Sequence, residues 1–478
     1  MLFWTWRRAG STFLAASAAL LLTGCDLAPH YHVPVVQVPV TYQEAAIWQQ
    51  AVPADAMPRG AWWQAYHDDT LNRLETRVDT ANPDLLAAQA VYDQARALVA
   101  EAQAGLYPQL GIGGQITTNR QSNRRPLRGF HEPNQFMNNE IDAQATYEID
   151  IWDRLANAVK AGKAEAAATG ADLETLRLSL HAELANDYFS LRGFDSLANL
   201  FARTVAAYQS AVTLTQNRFA GKIASAMDVS RAEAQLDAAR ADALDINARR
   251  ALVAHAIAVL VGVPPSELPL PAAITAATVP PIGAGLPATL LQRRPDIAAA
   301  ERRVAAANAE IGVVRAAFYP NISLNAILGL QDSGFNLFNA PDSFWTVGPG
   351  LALPLFEGGL RTAEEKAALA IYHHAVYEYR GTVLNAFRDV EDQLALLHWL
   401  GDELAQEQQA VAAARQTLRI AMNLYKDGAT NFLDVVTAQT AELNAERTTL
   451  DIATRRQQAS VALIRALGGG WRRPQALK

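Results

Sequence analysis

Between residues 139 and 153 apolar and polar residues alternate almost without error. Ile141, Ala143, Ala145, Tyr147, Ile149 and Ile151 fall on one face, and Asp142, Gln144, Thr146, Glu148 and Asp150 on the other. A period of two is that of a strand with one apolar and one polar side. Residues 109–118, 321–330 and 344–356 read the same way: Ile322, Leu324, Ala326, Leu328 and Leu330 share a face, as do Trp345, Val347, Leu351, Leu353 and Leu355. Polar, glycine-bearing turns over residues 119–135 and 331–343 join the strands in pairs.

Elsewhere the period is helical. Residues 84–106 and 296–318 predict helices stopped by Tyr107-Pro108 and Tyr319-Pro320, because a residue before proline is pushed out of the helical region. Residues 155–220 contain no proline. Their apolar positions Leu173, Leu176, Leu180, Leu184, Tyr188, Leu191, Phe194, Leu197, Phe201, Val205, Tyr208 and Val212 step by threes and fours, a seam of coiled-coil type. At about 1.5 Å per residue such a helix runs about 100 Å, beyond an ordinary globular core. A break at Gly221 precedes a returning helix over residues 228–260. The same order recurs as a helix over 362–426, a break at Gly428 and a return over 434–467.

The recurrence is a duplication. Asn82-Pro83-Asp84 and Tyr107-Pro108 reappear as Arg294-Pro295-Asp296 and Tyr319-Pro320 at the same separation, and NRFAGKIASAMDV (217–229) reappears as NLYKDGATNFLDV (423–435). The chain divides into a leader (1–24), an N-terminal arm (25–81), a first repeat (82–262), a proline-rich connector (263–293), a second repeat (294–470) and a short tail (471–478).

Four strands of about ten residues have the length and alternation of membrane-spanning strands. They cannot close on themselves. Barrels need about eight strands, and an open edge in lipid leaves backbone groups unsatisfied at several kcal/mol each. Three copies of the chain would supply twelve. Trp345, Phe344, Tyr319, Phe318, Trp152 and Tyr147 near the strand ends would suit an aromatic girdle at the lipid boundary. The alternative is a small soluble sheet packed on the helices. It explains neither the helix lengths nor the duplication.

Charge and cysteine use narrow the setting. A net charge of −7 and a pI near 5.8 give no basic footprint for nucleic acid. Cys25 is the single cysteine, so no internal disulfide is possible. Arg7 and Arg8, the apolar run 11–22 and Leu22-Thr23-Gly24-Cys25 have the layout of a secretory signal ending in a sequence that resembles the bacterial lipobox. The alternative is an ordinary signal peptide with an incidental cysteine. Diacylglycerol and N-acyl chains on Cys25 would anchor the mature protein, each buried methylene contributing about 0.8 kcal/mol. No other cofactor is called for. Asp26 follows directly, and in enteric bacteria an acidic residue there tends to retain lipoproteins at the inner membrane.

The lipobox with CDLAPHYHVP, the paired NPD/RPD and YP landmarks, LALPLFEGGLR and LYKDGATNFLDVVTAQTAEL resemble the TolC/OprM-type outer-membrane efflux proteins, lipoprotein branch. The resemblance covers essentially the whole mature chain. It implies a mainly α fold with a β-barrel: a homotrimer with a twelve-strand transmembrane β-barrel, four strands per chain, continuing into a long periplasmic α-helical barrel. It also implies a passive exit duct in the outer membrane, joined by a periplasmic adaptor to an inner-membrane transporter of the RND type. Alternatives are the exit channel of a protein-secretion system and a coiled-coil scaffold lipoprotein that makes no pore.

In that architecture the breaks at Gly221 and Gly428 are periplasmic tips. Asp228 and Asp434 match the family's acidic aperture positions, where threefold symmetry makes rings of carboxylates. Tyr425 matches an aromatic that helps hold the entrance closed. Thr430 and Thr437 stand where some members have an arginine and a second aspartate, so a salt-bridged lock of that kind is not expected. Adaptor contacts map to the loops containing Phe219, Gly221 and Ser225, and Gly428, Thr430 and Asn431. A competing role for the aspartates is local. Ser225 and Asn431 precede them by three residues, the spacing of a capping box. Gly221 and Gly428 would supply turns that other residues resist. GKI after Gly221 and GIGG at Gly111 complete no nucleotide motif, His373 and His374 read as surface or packing residues, and no metal site or enzyme motif is recognised.

Overall fold

The computed structural model describes residues 25–44, 60–124, 133–274, 278–282, 293–334 and 339–469. The leader and the tail lie outside them. Among the described residues the main elements are α1 (Asp69–Ala81), α2 (Pro83–Ala104), β1 (Gln109–Arg120), β2 (Gln135–Glu148), α3 (Arg154–Ala220), α4 (Ala226–Leu260), α5 (Pro295–Ala316), β3 (Asn321–Asp332), β4 (Ser343–Ala352), α6 (Leu360–Lys426) and α7 (Phe432–Ala466).

The duplication is visible in element lengths. α2 and α5 have 22 residues each, α3 and α6 have 67, and α4 and α7 have 35. A shift of 212 residues carries Gln109 onto Asn321, whereas a shift of 206 carries Arg154 onto Leu360, so the second repeat is six residues shorter between β3 and α6. Among the described residues no helix is long and apolar enough to cross a membrane.

The chain forms two compact units. The first contains the strands and comprises Met1–Val35, Tyr92–Thr169 and Ala299–Tyr379; the second comprises Val36–Val91, Gly170–Ala298 and Arg380–Lys478.

In the first unit the strands form one antiparallel sheet in the order β1-β2-β3-β4. The registers place Ile112, Ala143, Leu328 and Trp345 in one row across it, and Leu110, Ala145, Ala326 and Val347 in the next, all on the same face. Leu110, Ile112, Trp345 and Leu351 are each more than two thirds exposed. The opposite face is polar. Gln115 donates to Glu140 (2.6 Å) and Gln331 to Asn138 (2.5 Å). Glycines make room on that side: a Cβ on Gly113 would lie 2.8 Å from Asp142 Oδ1, and one on Gly329 would lie 2.6 Å from the Phe344 ring. Phe344 therefore belongs to the polar face, opposite Trp345, and not to an apolar girdle. Trp152 and Tyr319 do pair, stacked at 4.6 Å, with Trp152 Nε1 donating to Pro320 O.

Several expected boundaries move. β2 starts at Gln135, inside the segment read as a turn, and ends at Glu148 although the alternation runs on to Ile151. It ends opposite Ser323, two residues inside β3, which itself begins at Asn321 after Pro320. One further bond joins Ile149 N to Ile322 O before Asp153 turns the chain at φ 52. β4 likewise stops at Ala352, opposite the first residue of β3, and not at Phe356. Finally, the last part of the stretch assigned to the arm is α1, capped by Asp68 and burying Leu71, Leu74, Glu75 and Val78.

In the second unit the expected seam is the core. Leu173, Leu180, Leu184, Tyr188, Leu191, Phe201, Tyr208 and Val212 of α3 are all buried. In the described part of the connector, which follows the end of α4 at Leu260, one short turn forms over Pro265–Glu267. Buried charges clamp it. Asp195 pairs with Arg192 (2.7 Å) and Arg250 (2.6 Å) and accepts from Ala273 N, while the two arginines donate to Pro271 O and Leu270 O.

Candidate channel entrance and anchor

The two hairpin tips lie in the second unit and close in the same way. In the first, Gly221 N bonds to Asn217 O, Lys222 N to Phe219 O and Ile223 N to Arg218 O; in the second, Asp427 N bonds to Asn423 O, Gly428 N to Tyr425 O and Ala429 N to Leu424 O. This is the bonding of a helix C-terminus ended by one left-handed residue. That residue is Gly428 (φ 77) in the second tip and Lys222 (φ 58) in the first. The expectation that Gly221 supplies the left-handed turn is corrected: the duplication aligns Lys222, not Gly221, with Gly428.

The helices that return from the tips start on the expected caps. Ser225 Oγ accepts from Asp228 N and the Asp228 carboxylate accepts from Ser225 N, a complete capping box. Only half of the box forms in the second tip. Asn431 accepts from Asp434 N, and the Asp434 carboxylate is instead engaged by the hydroxyl of Thr430. Asp434 is exposed and Asp228 half-buried.

Tyr425 is buried, at 3% exposure, in a cluster with Tyr208, Val212, Leu236, Phe432 and Val435. Its ring meets Phe432 at 5.2 Å. The other side is covered by Arg218, whose guanidinium lies 4.8 Å from the ring centroid and donates to Lys426 O at 2.9 Å. Burial raises the Tyr425 phenol above its ordinary pKa, and the Asp228 carboxylate adds to the rise. One aromatic and one arginine thus tie the end of α3 to the end of α6. Sequence reasoning found Tyr425 and missed Arg218. The available signal was its position in the repeat, one residue before the counterpart of Tyr425. Around the tips Phe219, Ile223, Met227, Leu424 and Leu433 are exposed apolar residues.

The first unit holds Cys25. Its thiol is free and exposed, and its backbone N–H donates to Ile151 O at 2.9 Å, just beyond β2 and beside the Trp152–Tyr319 stack. The structure therefore brings the cysteine to the strand ends and keeps the tip residues together in the other unit.

Residues 77–263 and 286–469 match the family described as outer membrane efflux protein. The cation efflux system protein CusC of Escherichia coli O6:H1 is 29% identical over 462 residues, covering 95% of this chain and 97% of its own. The outer membrane protein OprJ of Pseudomonas aeruginosa is 31% identical over 461 residues, covering 95% and 94%. Among solved structures, the open state of the MtrE outer membrane channel of Neisseria gonorrhoeae superposes with a TM-score of 0.82 at 26% identity, covering 94% of this chain and 99% of that one. The fold class follows: a trimeric channel, mainly α, with four strands per chain in a shared β-barrel and long helices forming a helical barrel. It is an outer-membrane efflux duct reaching into the periplasm, not an enzyme. The chain belongs to the outer membrane efflux protein family.

Proposed function

We propose that this channel is the exit duct of an RND-type tripartite system, anchored by acyl chains on Cys25, docked at its tips by a periplasmic adaptor, and gated at Asp228, Asp434 and Tyr425. The observation that carries the duct is the sheet, with one apolar and one polar face and outer strands, β1 and β4, that each pair on one side only. In lipid both edges require further strands, and threefold repetition supplies them. The apolar face meets acyl chains and the polar face lines the pore.

In the second unit, the tips offer exposed apolar knobs around Phe219 and Gly221 in one hairpin and Gly428 in the other, a surface suited to helical adaptor hairpins. Ser225 and Asn431 cap the returning helices, which leaves the carboxylates of Asp228 and Asp434 in the first turn, where threefold symmetry gathers them around the axis. Capping and cation attraction are compatible there. Tyr425, held by Arg218 and Phe432, keeps the hairpins together. Small molecules are the cargo, with selection made by the pump.

The test is a planar-bilayer recording. Asp434→Asn weakens block by multivalent cations several-fold and Asp228→Asn weakens it less, because Asp228 is the more enclosed by its capping box. Unchanged block in both variants assigns the two aspartates to capping alone.

A further inference from the structure

An acidic residue directly after a lipidated cysteine is at odds with an outer-membrane location, and Asp26 is such a residue. The structure shows what its carboxylate does. Oδ1 accepts from Asn157 Nδ2 and from Ala28 N, both at 3.0 Å, and Oδ2 accepts from Lys160 Nζ at 2.6 Å. Lys160 also donates to Asn157 Oδ1 at 3.1 Å, and Asn157 is fully buried.

The rest of the arm is held on the same surface. Leu27 O accepts from Arg315 at 3.5 Å, Pro29 O from Asn308 at 2.7 Å, and Tyr31 donates to Glu301 at 2.6 Å. Gly312 of α5 makes the close approach possible. A Cβ there would lie 2.4 Å from Asn157 Nδ2 and 2.8 Å from Ala28 Cβ. Residues 25–31 thus occupy a built groove between α3 and α5, with Cys25 N bonded to Ile151 O at its mouth.

We propose that Asp26 is a positioning residue that, with Asn157, Lys160 and Gly312, seats the lipid-bearing N-terminus at the foot of β2 and thereby withdraws its own carboxylate from use as an inner-membrane retention signal. The inference rests on the reading that Cys25 is acylated. Acylation suits the seat chemically. An N-acyl cysteine keeps one amide hydrogen, enough for the bond to Ile151 O, but loses the α-ammonium charge that would otherwise stand beside Asp26. Lys160 supplies a positive charge in its place. Burial alone would raise the Asp26 pKa, but the bonds from Lys160, Asn157 and Ala28 N hold it below the usual carboxylate range. Asp150 and Asp153 stand close by: burial raises Asp153, and both Asp26 and Asp150 add to the rise. Lys160 therefore faces two carboxylates, Asp26 directly and Asp153 through its charge, which works against the rise.

The experiment compares wild type, Lys160→Met and the double variant Asp26→Ser/Lys160→Met in the full-length protein expressed in a Gram-negative host. Intact mass reads acylation, density-gradient fractionation reads inner against outer membrane, and hydrogen exchange reads the arm. Lys160→Met frees the carboxylate, so exchange at Ala28 rises at least tenfold and a substantial share of the protein shifts to the inner membrane. The double variant returns to the outer membrane while exchange stays fast, a rescue that a purely structural lysine would not give. An acylated Lys160→Met protein with unchanged exchange and location overturns the seat, and so does a double variant that stays in the inner membrane. A wild type without acyl mass overturns the lipid reading itself, a failure read independently of the exchange data.

Discussion

Lys222 and Gly428 occupy the same place in the two tips and have the same left-handed backbone, yet only one is glycine. A left-handed conformation costs a residue with a Cβ about 1–2 kcal/mol. Lys222→Gly is therefore expected to stabilise the first tip by about 1 kcal/mol, and Gly428→Ala to destabilise the second by about 1–2 kcal/mol. Hydrogen exchange at Ile223 and Ala429, whose amides close the two turns, reads both changes, and equal exchange in variant and wild type contradicts the assignment. The sequence showed where the tips lie, through the duplication, but not which residue turns left. That depends on the last helical bonds, and nearby Gly221 drew attention away from Lys222. Arg218 was illegible for a related reason: its partners, the Tyr425 ring and Lys426 O, are more than 200 residues away.

A second residue-scale prediction concerns His181. Buried and stacked on Trp63 at 4.5 Å, it contacts Glu75 (2.6 Å) and Asp79 (3.2 Å), with Arg177 also paired to Asp79. Burial alone would lower its pKa, but the two carboxylates raise it from 6.5 to about 9. Burial raises Glu75 as well, so both groups hold protons more tightly in the folded chain. Their stabilisation is present at low pH and is lost as pH rises, for His181 between 6.5 and about 9. Asp79 is held below its ordinary value, chiefly by its bond to His181, and acts only at the acid end. The thermal midpoint in detergent should fall between pH 7 and pH 10, and His181→Gln should flatten that slope. A wild-type midpoint independent of pH over this interval contradicts a charged His181.

At the scale of elements, the four strands and six of the seven main helices were legible because their apolar periods are long and unbroken. The missed helix, α1, is short, but Asp68 and the spacing of Leu71, Leu74 and Val78 did mark it. Strand ends were less legible than strand existence, since a ladder stops where cross-strand pairing stops: β2 ends opposite Ser323 although its own alternation runs on to Ile151. The faces follow directly from the alternation. Leu328→Arg, on the apolar face near mid-strand, should cost about 2–4 kcal/mol and reduce the yield of assembled channel. Gln144→Arg, on the polar face, should leave assembly intact and shift pore selectivity towards anions. Equal loss of assembly in both variants would mean that the two faces do not meet different surroundings.

At the scale of the whole molecule, the charge and the cysteine count excluded classes of function, whereas the open sheet and the duplication pointed to one. A period of two makes each strand, the strands make a two-faced sheet, and the outer edges of β1 and β4 require an assembly that supplies their partners. The capping residues at the tips show why the carboxylates were harder to read: Asp228 and Asp434 satisfy backbone groups locally, so their spacing alone does not distinguish a cap from a pore ring. The native mass of the detergent-extracted, full-length protein decides whether the barrel is shared. A trimer, which conducts ions when placed in a bilayer, is the predicted result. A stable monomer in detergent would leave both sheet edges unpaired, and would contradict the shared barrel and the duct built on it.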